Sequence, residues 1–404
     1  MTTTVEPGVT ATLAAAAAVL IVGRALVGRI PVLARYSIPA AVAGGLLAAA
    51  GVAALHAAGV RVRFDGSMTP ALMLAFFASV GLGADLRLLA RGGVRLVAFT
   101  AAIAAMLIVQ NLIGVSIASL LGLDPLVGLL AGSITLSGGH GTGAAWGQKL
   151  QDDYGVAGAP EIALAVATFG LVAGGLVGGP VARRLVDRLA ARGEPLGTAD
   201  GHGPVAAPAP AGGSPTVDRL IVTLLLITGA MTIGTELARW SAHPSFALPA
   251  FVWTLFAGVL LRNALAAVRM HEVDDRALTF VGEIALALFL ALALMSLRLW
   301  EVATLAAPLL AIVVVQIAAV AAIATLLTFR ILGADYEAAV MVAGQCGFGL
   351  GATPTAIANM QAVTARFGHA PQAFIVVPVV GAFLIDLMNA LTLGAFVAWL
   401  GAGR

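Results

Sequence analysis

Two stretches decide how this chain is read: LGLDPLVGLLAGSITLSGGHGTGAA at residues 121–145 and LGADYEAAVMVAGQCGFGLGATPTAI at residues 332–357. Each opens on Leu-Gly-x-Asp, passes an Ala-Gly pair and runs into glycines, at SGGHGTG (137–143) and GFGLGATPT (347–355). The surrounding segments, 125–148 and 336–360, are apolar and long enough to enter a bilayer. A helix broken by several glycines and a proline leaves backbone groups unpaired, which lipid does not tolerate unless the break is buried in protein or lines a cavity. Both segments are therefore expected to be re-entrant hairpins.

The similarity extends outward from these hairpins. SIPA from Ser37 matches ALPA from Ala247, and DLRLL from Asp85 matches SLRLW from Ser296, in the same order and at nearly the same offset. An internal repeat of this kind precedes any finer reading of the fold. Of the 404 residues 60% are hydrophobic and 10% charged, where soluble domains average about 45 to 50% and about 25%. The chain reads as an all-α polytopic membrane protein. Net charge is +2 with a single lysine, Lys149, so no clustered basic surface for nucleic acid is expected. The lone Cys346 excludes an internal disulfide.

Ten apolar stretches are expected to span: 10–27, 36–58, 68–86, 93–121, 161–186, 217–240, 248–268, 277–297, 303–329 and 373–400. Arg24 and Arg29 follow the first, which favours a retained helix with its amino end outside rather than a signal peptide. Threaded from there, most basic residues fall in the cytoplasm, among them Arg95, Arg184, Arg188 and Arg192, and both termini fall outside. Five spans per half put the second copy in the membrane upside down. The halves are expected at 1–191 and 217–404, joined by an Ala/Pro/Gly-rich flexible linker at 192–216. Inverted repeats with broken segments at matching positions mark secondary transporters, whose site lies where the repeats meet.

At each break the following half-helix offers free N–H groups and the positive end of its dipole, a place for carboxylates. The first tip supplies Ser137, Gly138, Gly139, His140, Gly141 and Thr142; the second supplies Gly351, Thr353, Pro354 and Thr355, with Thr353 expected as N-cap and Pro354 at the first helical position. Asp386 and Asn389 stand three apart on one face of the last span. An unpartnered aspartate there costs about 2.5 to 3.5 kcal/mol, so it needs a partner or a ligand: sodium among oxygen donors, a substrate ammonium, or a structural ion pair with an arginine. Asn359 adds an oxygen just past the second tip. Gln110 and Gln316, inside long apolar spans, suit inter-helix hydrogen bonding. Walker A and HExxH patterns are absent; an intramembrane hydrolase built on Ser137 and His140 is the enzymatic alternative.

SGGHGTGAAWG (137–147), GATPTAIANMQAVT (351–364) and FIVVPVVGAFLIDLMNAL (374–391) closely resemble the bacterial sodium/glutamate symporter family, and the layout covers nearly the whole chain. The resemblance implies sodium-coupled glutamate uptake across the bacterial inner membrane, with sodium as coupling ion and no covalent cofactor. It also implies a homodimer in which a transport unit carrying both hairpins moves against a static scaffold, in the manner of an elevator. By position it carries over Ser137 to Thr142, Gly351 to Thr355 and Asp386 with Asn389; from their chemistry, and not from the match, the glycine-rich tips are expected to bind substrate and Asp386, Asn389 and Asn359 to bind sodium. A carrier of citrate or another dicarboxylate or tricarboxylate remains the alternative within transporters, because the tips recognise carboxylate and not amine.

Overall fold

Apolar runs of 18 residues or more become helices throughout. The computed structural model describes residues 3–35, 38–87, 93–194, 196, 216–241, 248–268, 273–297 and 306–401. Among them, nine helices are long and apolar enough to cross a membrane. The tenth expected span, 68–86, is an apolar helix of 15 residues, Thr69–Gly83. The linker expected at 192–216 lies almost wholly outside the described residues, as do the first residues of the spans expected at 36–58 and 303–329. Outside the helices, β1 (Thr3–Val5) pairs in parallel with β2 (Val60–Val62).

The chain divides into two compact units, residues 1–83, 140–165 and 215–308 in the first and 84–139, 166–214 and 309–404 in the second. The sequence halves are not the compact units, since each unit takes helices from both.

The first unit holds α1 (Val9–Arg29), α2 (Pro31–Arg35), α3 (Ala40–Ala57), α4 (Thr69–Gly83), most of α7 (Gly139–Tyr154), the start of α8 (Ala159–Ala191), α9 (Val217–Trp240), α10 (Ala250–Ala267) and α11 (Asp275–Met295). Its helices approach through glycine. A β-carbon at Gly23 would meet the Ala40 carbonyl, and one at Gly44 the Val19 carbonyl, so α1 and α3 touch backbone to backbone. The same contact joins α4 to α10, where Gly81 faces the Leu255 carbonyl. Small residues make such close packing possible where lipid gives helices little hydrophobic reason to associate. Ala78, Leu82, Ile227, Ala230, Ala257 and Leu278 fill the space among α4, α9, α10 and α11. Arg262, 7% exposed, donates to Asp275 at 2.5 Å. At the start of α11 Asp274 accepts from the N–H groups of Arg276 and Ala277. The bond from Ala277 foremost holds this carboxyl below its ordinary range.

The second unit holds α5 (Gly93–Leu120), α6 (Pro125–Leu129), the rest of α8, α12 (Ala306–Ile323), α13 (Phe329–Ile331), α14 (Tyr336–Gly349), α15 (Thr353–Phe367), α16 (Pro371–Val379) and α17 (Ile385–Gly401). A kink at Gly132 (φ −107°, ψ −136°) breaks the helix within Leu130–Ile134, and π-helical turns follow at Ala324–Thr328 and Val380–Leu384. Such turns widen the helix by a residue and recur at functional sites.

The paired Leu-Gly-x-Asp motifs fold alike. Gly122 (φ +71°) and Gly333 (φ +103°) both take the left-handed conformation that favours glycine. Two residues later Asp124 caps α6, accepting from Leu126 N–H at 2.9 Å, and Asp335 caps α14, accepting from Ala338 N–H at 2.8 Å. Asp335 is also paired to Arg95 on α5 at 2.5 Å.

Candidate functional site

The second unit gathers both chain breaks. After the kink at Gly132 the first segment turns at Ser137 and Gly138, and helix resumes at Gly139 (φ +67°). The break at the tip is shorter than the 137–143 expected: Gly139 takes the left-handed conformation, and Gly141 and Gly143 are already helical. The second segment breaks at Leu350, Gly351 and Ala352 between α14 and α15. The N-cap position is Ala352, with no side-chain cap. Thr353 is instead the first helical residue, and its hydroxyl donates to the Gly381 carbonyl at 2.6 Å. Pro354 therefore takes the second helical position rather than the first, still within the turn where its missing N–H costs no helix bond.

Gln110, midway along α5, joins the two breaks. Its amide oxygen accepts from the Ser137 hydroxyl at 2.7 Å, and its amide nitrogen donates to the Gly349 carbonyl at 2.9 Å. The same hydroxyl lies 3.4 Å from the Gly349 carbonyl. A β-carbon on Gly139 would stand 3.3 Å from the Gly351 carbonyl, so the tips themselves nearly touch. Gln316 on α12 donates to the backbone carbonyl of Gln110 at 2.7 Å. The inter-helix role expected of both glutamines is met, and for Gln110 the helices joined are the broken ones.

A second knot lies at the Gly132 kink of the first segment. Asn111 accepts from the Ser133 N–H at 3.1 Å, and the Ser133 hydroxyl lies 2.9 Å from Asn111 Oδ1 and 2.6 Å from Asn389 Oδ1. Asn389 returns a bond from its Nδ2 to the Ser133 carbonyl at 2.9 Å. Three residues earlier, directly after the π turn at Val380–Leu384, Asp386 is half-buried and makes no hydrogen bond or ion pair among the described residues. Asn359 donates to the Gly174 carbonyl at 2.9 Å and lies 3.4 Å from that of Ala343, tying α15 to α8 and α14.

Helix α8 provides the bed for the second break. Gly170, Gly174 and Gly178 recur every four residues and therefore line one face. A β-carbon on Gly170 would meet the Leu350 carbonyl, one on Gly174 the Gly347 carbonyl, and one on Gly178 the Asn359 amide. Several buried polar atoms here have no partner among the described residues: Gln316 Oε1, Gln345 Oε1, Thr355 Oγ1 and Asn111 Nδ2. Such orphans are rare in native proteins and call for a ligand, ion or water. The oxygens among them, with the Asp386 carboxylate, are donors of the hard kind that sodium takes.

The remaining first-tip residues, His140, Gly141 and Thr142, belong to the first unit and are buried in its interior. A β-carbon on Gly141 would press on the Phe76 ring and Leu286. The Ser137 hydroxyl, bonded to Gln110, is not set up as a nucleophile, which removes the basis for the hydrolase alternative. Asn111, Ser133 and Gln345 and the glycine row of α8 escaped the sequence reading. The four-residue glycine spacing was the available signal for the row.

Comparison with known proteins gives one consistent result. The profile of the family described as sodium/glutamate symporter matches residues 5–369. A sodium/glutamate symporter of Escherichia coli (strain K12) is 51% identical over 386 residues, covering 95% of this chain and 96% of that protein. One from Haemophilus influenzae is 46% identical, covering 94% of each.

Proposed function

The chain belongs to the sodium/glutamate symporter family and is a sodium-coupled glutamate transporter, not an enzyme; we propose that its second compact unit is the part that holds the cargo. The observation that carries this reading is the Gln110 bridge, which ties the Ser137 hydroxyl of one break to the Gly349 carbonyl of the other. Glutamate needs two carboxylates and one ammonium relieved of water together. Ser137, Gly138 and Gly139 at the first break, and Gly351, Thr353, Pro354 and Thr355 at the second, take the carboxylates on helix N-termini. His140, Gly141 and Thr142 follow in the first turn of the helix that begins at Gly139. Sodium binds at Asp386, whose carboxylate has no protein partner among the described residues. Asn389 and Asn359 already spend donors on helix contacts, so they shape the sodium site and lend at most an oxygen each.

Both breaks are re-entrant hairpins of an inverted repeat, 1–191 and 217–404 with 192–216 as linker. The matching turns at Gly122 and Gly333 and the matching caps at Asp124 and Asp335 support the repeat. This multi-pass membrane protein resides in the bacterial inner membrane with both termini periplasmic, as a homodimer, and delivers glutamate by elevator-type alternating access. Sodium carried inward draws on the membrane potential, about 2.3 kcal/mol per charge per 100 mV. Equilibrium binding of labelled glutamate to purified protein tests the site. Ser137→Ala combined with Thr355→Val is expected to weaken sodium-dependent binding about tenfold, the worth of roughly one lost hydrogen bond to a charged group. Unchanged affinity would move the site elsewhere.

A further inference from the structure

Two helix ends of the second unit bring four arginines to one groove. Along α8, Arg184, Arg188 and Arg192 recur every four residues and so share one face. Arg330, on α13, faces them across a cavity of about 470 Å³. No acid lines this groove among the described residues. The nearest on α8, Asp187, pairs with Arg183 at 3.8 Å. None of the four guanidinium groups makes a hydrogen bond or ion pair among the described residues. A helix dipole and the cytoplasmic bias of basic residues explain positive charge at the end of α8. They do not explain why a fourth cation from another helix joins a row whose members already repel one another at four-residue spacing.

The rest of the lining is apolar. Leu185 on α8 is buried, while Leu326 on the opposite wall is 60% exposed. A soluble anion would use only the charged end of such a groove. An amphiphile uses both, and the guanidinium fork matches phosphate oxygens in pairs. We propose that this groove binds an anionic phospholipid, its phosphodiester held by Arg184, Arg188, Arg192 and Arg330 and its acyl chain laid along Leu326. Basic pockets between membrane helices on the cytoplasmic side suit such headgroups. The site is separate from the residues assigned to glutamate and sodium and does not depend on them.

Full-length protein in neutral detergent is labelled with a photoreactive phosphatidylglycerol, or with a phosphatidylcholine of the same chains, and the label is mapped by peptide mass. Phosphatidylglycerol is expected to label peptides covering 181–192 and 321–334, and phosphatidylcholine to label them about tenfold less. Arg184→Gln with Arg188→Gln and Arg330→Gln should remove the difference, while the corresponding lysine variant keeps part of it. Equal labelling by the two lipids in the wild-type protein would overturn the proposal, whatever the variants do. Displacement of the label by inorganic phosphate would also overturn it, by showing a site for a soluble anion.

Discussion

Asn389 shows what a single buried amide does in this protein. It faces Ser133 with both ends, its oxygen 2.6 Å from the hydroxyl and its nitrogen donating to the carbonyl at 2.9 Å. The kink at Gly132 frees backbone groups there, and in an apolar interior an unpaired one costs about 1 to 3 kcal/mol. Ser133→Ala and Asn389→Ala are each expected to lower stability by about that amount. The double variant should fall short of the sum by about 0.5 to 3 kcal/mol of coupling, read from unfolding in detergent. Strict additivity would show that the two do not act together. Asn389 was legible in the sequence because a polar side chain deep in an apolar span needs a reason. Ser133 and Asn111 were not: a serine bonds its own helix at little cost, and nothing local announces that a distant amide will meet it. Asp386 stood out for the opposite reason, since a charge has no inexpensive local solution in lipid.

At the level of elements, the clearest sequence signal was the repeated Leu-Gly-x-Asp, and its physical content is a turn followed by a cap. Gly122 and Gly333 adopt positive φ, where a side chain is strained, and the aspartate two residues on satisfies the first N–H groups of the next helix. Gly122→Ala and Gly333→Ala should therefore destabilise by similar amounts, about 1 to 2 kcal/mol each, measured as a drop in unfolding temperature. An effect at only one of them would argue against equivalent turns in the two halves. The first break is shorter than its glycines suggest, because glycine count is a poor measure of how far a helix is interrupted. Gly139 makes the turn, whereas Gly141 is glycine because Phe76 and Leu286 leave no room for a β-carbon. The same logic applies to Gly170, Gly174 and Gly178, which are helical throughout and serve as a bed for the second break. Their role depends on what arrives from elsewhere in the chain, which periodicity within α8 does not disclose.

For the whole molecule, composition fixed the class and apolar runs placed nearly every span to within a few residues. The division into two compact units was not legible, because each is stitched from three separate stretches and α8 passes from one to the other at Ala165 and Val166. That division separates a unit of glycine-packed helices from a unit holding both breaks, the Gln110 bridge and Asp386. The central claim is that this second unit couples sodium at Asp386 to glutamate at the breaks. Its most direct test is uptake of labelled glutamate into proteoliposomes with sodium present only outside, comparing the wild-type protein with Asp386→Asn. The wild-type protein should accumulate glutamate against its gradient, and Asp386→Asn, equally expressed and folded, should abolish the sodium-driven accumulation. Near-normal accumulation by Asp386→Asn would contradict the assignment, and uptake by the wild-type protein that ignores sodium would contradict the coupling itself.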